Sequence, residues 1–278
     1  MLDERQKMSN TINEISSKLI NWFSENSKKV IVALSGGVDS AVVALCAKEA
    51  LGSGALAITA NYKTLSEEEL ITARKVADEI GIEHKIIEYD ELENSQFVNN
   101  DHLRCYYCRK ELGLRLVREA NKYKVKLIVD GTHKDDLGDN RPGIKALKEN
   151  GIKSPLLEMG ISKCEIRLIA KQYALSIFDK PSNSCLASRI PQGTRINYQR
   201  LKKIEISEMI VKNIFDVRQV RVRDHTDVAR IEVGNDELYK LFDVAKLKMV
   251  DTKLKEQGFK FVSIDTKGYK SGNLTIIE

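Results

Sequence analysis

Long apolar runs are missing from these 278 residues: the longest strongly apolar one, Ala41 to Ala47, falls far short of the ~20 residues that span a bilayer. No transmembrane helix and no membrane partner are expected. The N-terminus carries Asp3, Glu4, Arg5 and Lys7 but neither an apolar core nor a small-residue cleavage site, so no signal peptide is expected either. A cytoplasmic location follows by default. Repeats and low-complexity blocks are absent as well. The five cysteines are odd in number, which argues against a disulfide framework and leaves thiols available for metal or redox chemistry. Charge is nearly balanced, 45 Lys+Arg against 40 Asp+Glu. The net +5 suits an anionic ligand such as a nucleotide and argues against a dedicated nucleic-acid binder, whose cations cluster densely. The densest cationic stretch, Arg195 to Arg230, holds nine Lys/Arg against five Asp/Glu.

What is present is an ordinary globular composition, 42% apolar, which excludes disorder and collagen-like classes. The length suggests about two domains and allows roughly 70–75% of the unfolded surface to be buried. Periodicity changes character near Pro181, dividing the chain into 1–180 and 181–278. Before that point, short β-branched runs (30–34, 55–59, 84–89, 127–130) alternate with helical patterns. The helix after Ser66-x-x-Glu69 opens on a capping box and stops at Gly81. This alternation predicts an α/β fold with a doubly wound parallel sheet, whose ligands bind at the carboxyl ends of the strands. After Pro181 the order is helix, two adjacent strands, helix, strand, which predicts a smaller antiparallel α+β domain. There, Arg221 and Arg223 alternate within Gln219 to Arg223 and share one face of their strand.

The first chemical signal is Ser35-Gly36-Gly37-Val38-Asp39-Ser40, between an apolar strand and a helix. Two glycines permit a tight turn and close approach, and a helix start offers unpaired N–H groups to a phosphate. No Lys closes this loop as in a Walker sequence, so transfer of a γ-phosphate is not indicated. The second signal is Cys105-x-x-Cys108, compatible with zinc, a redox dithiol or an iron–sulfur centre. A second CxxC is lacking, so His102, His133 or Cys185 would have to complete a zinc shell. Three thiolates and one vacancy suit a [4Fe–4S] cluster. Cys46, among Val42, Val43 and Leu45, reads as a small core residue, and Cys164 as incidental.

The loop resembles the pyrophosphate loop of the N-type ATP pyrophosphatases. The resemblance implies that Asp39 helps hold Mg²⁺ on ATP, and that Ala60-Asn61 and Gly131-Thr132 line the adenosine. Together with Tyr106-Tyr107, Arg141 to Ala146, Ser182 to Gly193, Val220 to Val233 and Phe259 to Gly272, the chain resembles the LarE family over nearly its whole length. Members adenylate a carboxylate of a pyridinium biscarboxylic acid mononucleotide and convert it to a thiocarboxylate, a step towards the nickel-pincer nucleotide cofactor. In single-cysteine members one cysteine surrenders its sulfur; that position falls on Ser184, one before Cys185. Three-cysteine members resemble Cys105, Cys108 and Cys185, which implies a cluster that holds and delivers sulfur. The resemblance also implies catalytic or substrate-contacting roles for Arg189, Glu208, Arg221, Arg223 and Lys270, sulfide or an upstream sulfur donor as partner, and a homo-oligomer such as a hexamer. The competing readings are a tRNA thiolation enzyme of the same superfamily, a single-cysteine sacrificial sulfur donor, an amide-forming synthetase, and a non-catalytic nucleotide sensor or sulfide or cluster carrier.

Overall fold

The computed structural model describes residues 2–138 and 142–270. In chain order the elements are α1 (Leu2–Asn26), β1 (Val30–Ala33), α2 (Val38–Leu51), β2 (Ala55–Asn61), α3 (Glu67–Ile80), β3 (Glu83–Glu88), α4 (Ser95–Val98), α5 (Arg104–Tyr123), β4 (Leu127–Val129), α6 (Pro142–Glu149), α7 (Pro155–Glu158), α8 (Lys163–Gln172), α9 (Tyr198–Phe215), β5 (Val220–His225), β6 (Val228–Val233), α10 (Val244–Glu256) and β7 (Phe261–Ile264). They form two compact units. One comprises 1–62, 67–90 and 105–182; the other comprises 63–66, 91–104 and 183–278.

The first unit holds a four-stranded sheet in the order β3-β2-β1-β4 with every pairing parallel. This is the doubly wound α/β architecture that the alternation predicts. Val30 to Val32 are wholly buried because both faces of a parallel sheet are covered by its crossover helices. Helix α2 is apolar on every side, with Ser40 to Cys46 buried, as expected of a helix enclosed in a core. The chain winds outward from β1 through β2 to β3, then returns to place β4 on the other side of β1. The loops after β1 and β4 therefore flank the point where the winding direction reverses, the crevice in which such sheets bind ligands.

The second unit has a three-stranded sheet, β5-β6-β7. Strands β5 and β6 pair antiparallel, as expected, but β6 and β7 pair parallel. The difference comes from the connection: the chain passes through α10 before β7, and such a crossover returns the strand in the same direction. Val211 and Phe215 of α9 and Val250 and Leu254 of α10 join Val222, Ile231 and Val233 in one apolar core.

Candidate active site

In the first unit, the loop after β1 is shaped by close backbone approaches. Gly36 has φ +79°, and a Cβ there would fall 2.6 Å from the Glu69 carbonyl oxygen, so no larger residue fits. Gly37 caps α2 without a side-chain hydrogen bond, which leaves the first-turn N–H groups for an anion. Ser40 braces the turn from within: its Oγ accepts from the Ser35 amide at 3.1 Å and donates to the Gly37 carbonyl at 3.1 Å. At the end of β4, a Cβ on Gly131 would lie 2.6 Å from the Ser40 nitrogen. Glycine at this position lets the two loops touch. The Asp130 carboxylate fixes the following turn by accepting from Thr132 Oγ1 and Ser154 Oγ, each at 2.6 Å. Ala60 and Asn61 end β2 on the same edge of the sheet.

Charge around the loop is arranged by Lys163, His133 and Lys180, none of which belongs to the loop's own motif. Lys163, the first residue of α8, places its Nζ 2.5 Å and 2.6 Å from the two Asp39 carboxylate oxygens. Its own backbone N–H donates to Asp135 at 2.6 Å. The Ser162–Glu165 capping box starts that helix, and the hydrogen bonds from Ser162 hold the Glu165 carboxyl below the usual range. His133 is buried, with Nε2 3.8 Å from Asp39 Oδ1 and 3.6 Å from Asp136 Oδ2. Lys180 bridges Glu69 at 2.9 Å and donates to the Gly36 carbonyl at 3.3 Å. Nothing in the sequence around Lys163 points to a partner 124 residues away. Cys105 and Cys108 share the first turn of α5, the former exposed and the latter half-buried. An i, i+3 spacing puts both sulfurs on one face. Cys46 is wholly buried and burial pushes its thiol up to about 12, so it is chemically quiet.

In the second unit, Cys185 is half-buried at the head of a single 3₁₀ turn, Leu186–Arg189. The Leu186 amide donates to the Thr64 carbonyl at 2.9 Å. Arg189 is the largest fully buried side chain among the described residues. Its Nε and Nη2 grip the Glu208 carboxylate at 2.8 and 2.9 Å. Its Nη1 reaches the carbonyls of Ser184 and Cys185 and the Ser188 hydroxyl, and Nη2 also donates to Asn183 at 3.0 Å. Burial works against its charge, but Glu208 outweighs that and raises its pKa. Glu208 in turn accepts the Val222 amide of β5 at 2.9 Å.

Arg223 chelates Glu232 at 2.7 and 3.0 Å and donates to the Ser188 carbonyl at 2.9 Å. The Arg221 guanidinium lies 5.0 Å from the centre of the Tyr269 ring; burial, and then the charge of Arg189, lower its pKa to about 10. Arg189, Glu208, Arg221 and Arg223 are thus brought into one buried ionic network around the Cys185 turn. Lys270 is exposed. From the 91–104 segment, Asn100 donates to the carbonyls of Pro191 and Thr194 at 2.8 and 2.9 Å, and Arg104 donates to the Ala187 carbonyl at 3.1 Å. Arg141, Ser271 and Gly272 lie outside the described residues. Among the described residues, no group of three His, Cys, Asp or Glu side chains is gathered as a metal site, and no helix is long and apolar enough to cross a membrane.

The family model for NAD synthase matches residues 11–112, the part of the chain that contains the glycine loop. An uncharacterised protein of Synechocystis is 39% identical over 263 residues, covering 94% of this chain and 97% of the relative. An uncharacterised protein of Methanocaldococcus jannaschii is 34% identical, with 88% and 92% covered. The pyridinium-3,5-bisthiocarboxylic acid mononucleotide synthase of Lactiplantibacillus plantarum is 31% identical over 250 residues, with 89% of each chain covered. Identity at this level over nearly the full length, on a parallel sheet that carries the glycine loop at its switch point, establishes that the chain belongs to the LarE family, ATP-dependent sulfur-inserting enzymes of the N-type ATP pyrophosphatase superfamily.

Proposed function

We propose that this chain adenylates a carboxylate of a pyridinium biscarboxylic acid mononucleotide or a close analogue and then replaces AMP by sulfur. The observation that carries the reading is the loop itself. Gly36 in a left-handed turn, an open α2 N-terminus and Gly131 pressed against Ser40 make a cradle suited to a phosphate group. The first-turn N–H groups of α2 hold the β- and γ-phosphates that leave as pyrophosphate. Asp39 orients Mg²⁺, and Ala60-Asn61 and Gly131-Thr132 line the adenosine. A hard carboxylate oxygen beside a phosphate cradle fits Mg²⁺, and the Lys163 ammonium now on Asp39 is itself a cation accepted by this carboxylate. The substrate carboxylate attacks the α-phosphorus, pyrophosphate departs, and the acyl carbon acquires AMP as its leaving group.

In this reading sulfur comes from a [4Fe–4S] cluster held by Cys105, Cys108 and Cys185. The donor chemistry suits it: three soft thiols, none fully buried, would leave one iron without a protein ligand, and the cluster itself would have to draw together side chains that the described residues do not gather. When bound, the cluster supplies a hydrosulfide of lowered pKa as the nucleophile, which is replenished by sulfide or an upstream donor. Arg189 and Glu208 act through the turn they hold, fixing Cys185 in position. Exposed Lys270 supplies positive charge for the substrate phosphate, while Arg221 and Arg223, buried and in the case of Arg223 engaged by Glu232 and the Ser188 carbonyl, brace β5. The enzyme works in the cytoplasm as a homo-oligomer, with 1–180 as the pyrophosphatase domain, less the 63–66 and 91–104 segments that pack with the second unit, and 181–278 as the substrate and sulfur-transfer domain. Arg221 and Arg223 are buried within the second unit, which weakens the case for an RNA-facing basic strand and so for tRNA thiolation.

The test is anaerobic purification with iron, acid-labile sulfide and zinc assays, followed by pyrophosphate release with the mononucleotide acceptor. About four irons per chain, with pyrophosphate release lost in Asp39→Ala while the iron remains, would support the reading. One zinc per chain would make the CxxC structural, and full pyrophosphate release by Asp39→Ala would remove the assignment of the loop.

A further inference from the structure

The contact between Lys163 and Asp39 has a consequence for how metal and nucleotide enter, given the reading of the loop as a Mg·ATP site. The ammonium engages both carboxylate oxygens, at 2.5 and 2.6 Å. It is held there from behind: Lys163 begins α8 after the Ser162 cap, and its backbone amide is tied to Asp135 at 2.6 Å. The buried His133 ring stands 3.8 Å from the same Asp39 oxygen, and its Nδ1 has no hydrogen-bond partner among the described residues. A carboxylate whose two oxygens both face an ammonium offers a divalent cation a site already filled by like charge. The lysine side chain is still about one-quarter exposed and ends in a flexible four-carbon stem, so it can leave without disturbing the helix start.

We propose that Lys163 is a counter-ion latch. In the nucleotide-free protein it occupies Asp39 and keeps bare Mg²⁺ out. When ATP arrives, the ammonium moves to the polyphosphate oxygens that reach the start of α2, and the vacated carboxylate takes the metal. Metal and nucleotide are then coupled, each improving the binding of the other by the same factor. Mg²⁺ enters with ATP, and the protein does not hold an idle divalent ion in the loop.

The experiment uses the full chain, Mn²⁺ as the metal probe followed by electron paramagnetic resonance, and α,β-methylene-ATP, which cannot lose pyrophosphate. In the wild type, Mn²⁺ binding without nucleotide is weak and the analogue tightens it at least about tenfold. Lys163→Met, which removes the competing charge from a solvent-accessible pair, is expected to bind Mn²⁺ about tenfold more tightly without nucleotide and to show weaker coupling, the remainder coming from phosphate oxygens that ligate the metal directly. It should also bind the analogue about tenfold more weakly when metal is absent. Lys163→Gln should behave as Lys163→Met does, and circular dichroism of both variants checks that the fold is kept. Unchanged Mn²⁺ affinity in the two folded variants, or wild-type coupling in either, would overturn the latch. Failure of the wild type to bind the analogue at all would instead strike the nucleotide-site reading, so the two failures are distinct.

Discussion

Replacing Gly131 by alanine tests whether the contact between two loops sets the geometry of the nucleotide site. The new Cβ would stand 2.6 Å from the Ser40 nitrogen, 2.9 Å from Ser40 Cα and 3.0 Å from the Asp39 carbonyl carbon, where ordinary contacts lie near 3.5–4.0 Å. All three neighbours are backbone atoms, and α2 is buried from Ser40 to Ala47, so no side chain can swing aside. The end of β4 and the first turn of α2 must therefore part by roughly 1 Å. Overpacking of this kind costs about 1–3 kcal/mol. At ~2–4 °C per kcal/mol for a chain of this size, a mid-range cost lowers the melting temperature by ~4–8 °C. A 1 Å misplacement of positioning groups costs about 100-fold in rate, so pyrophosphate release should fall far more than stability alone explains. Gly151→Ala is the control: its φ is +74° but nothing lies within 4 Å of the added carbon, so it should lose about 1–2 kcal/mol of stability and keep its rate. Differential scanning fluorimetry and a coupled pyrophosphate assay read both quantities. A Gly131→Ala protein with unchanged melting temperature and unchanged release would refute the contact and its role together.

Three further outcomes concern the second unit, helix α5 and the sheet. Arg189→Met leaves Glu208 charged in the interior and should cost about 3–5 kcal/mol, of which Arg189→Met/Glu208→Leu recovers most; thiol labelling of Cys185 should accelerate in the single variant, and an unaltered melting point and labelling rate would contradict the network. Cys105→Ala and Cys108→Ala should each lose iron yet retain pyrophosphate release, whereas retention of about four irons in either would end the three-thiolate assignment. Burial lowers the pKa of His84 below its ordinary 6.5, and the ring donates from Nε2 to Thr59 at 2.8 Å, since the Thr59 hydroxyl is spent on the Leu34 carbonyl. The unfolded chain therefore takes up a proton at a higher pH than the native state does, and stability is lost as pH drops below 6.5 towards the lowered value. His225 shifts in the same direction. Urea titrations from pH 7.5 to 5 should show a smaller loss for His84→Gln than for the wild type, and parallel curves would exclude the His84 contribution.

The nucleotide half was legible because its signals are local. An all-apolar pentapeptide before Ser35 leaves no option but a buried strand, and the glycine pair after it leaves no option but a close turn. Gly131 carried no such mark, since its need for hydrogen in place of a side chain arises from a helix some 90 positions earlier. Strict alternation suggested that Arg221 and Arg223 present a common face, and the structure shows both buried. Alternation cannot tell water from the Glu232 carboxylate, which meets Arg223 from the neighbouring strand, or from the Tyr269 ring beside Arg221. The parallel pairing of β7 was hidden for a similar reason: strand pattern records which residues are apolar, and direction is set by the crossover. Lys163 and Asp39, like Lys180 and Glu69, meet only through the tertiary fold.

Asn100 also bears on how the chain becomes a protein at all. It is wholly buried with φ +56°, and its amide is satisfied by carbonyls 90, 91 and 94 positions later. At ~5–20 residues per second of synthesis, roughly 5–20 s pass before those partners emerge. During that interval the 91–104 stretch must wait hydrated, although its neighbours on both sides belong to a sheet that can already assemble. Cutting the chain after residue 182 would strand the stretch permanently, so a transplantable C-terminal module has to be assembled from three pieces of the gene.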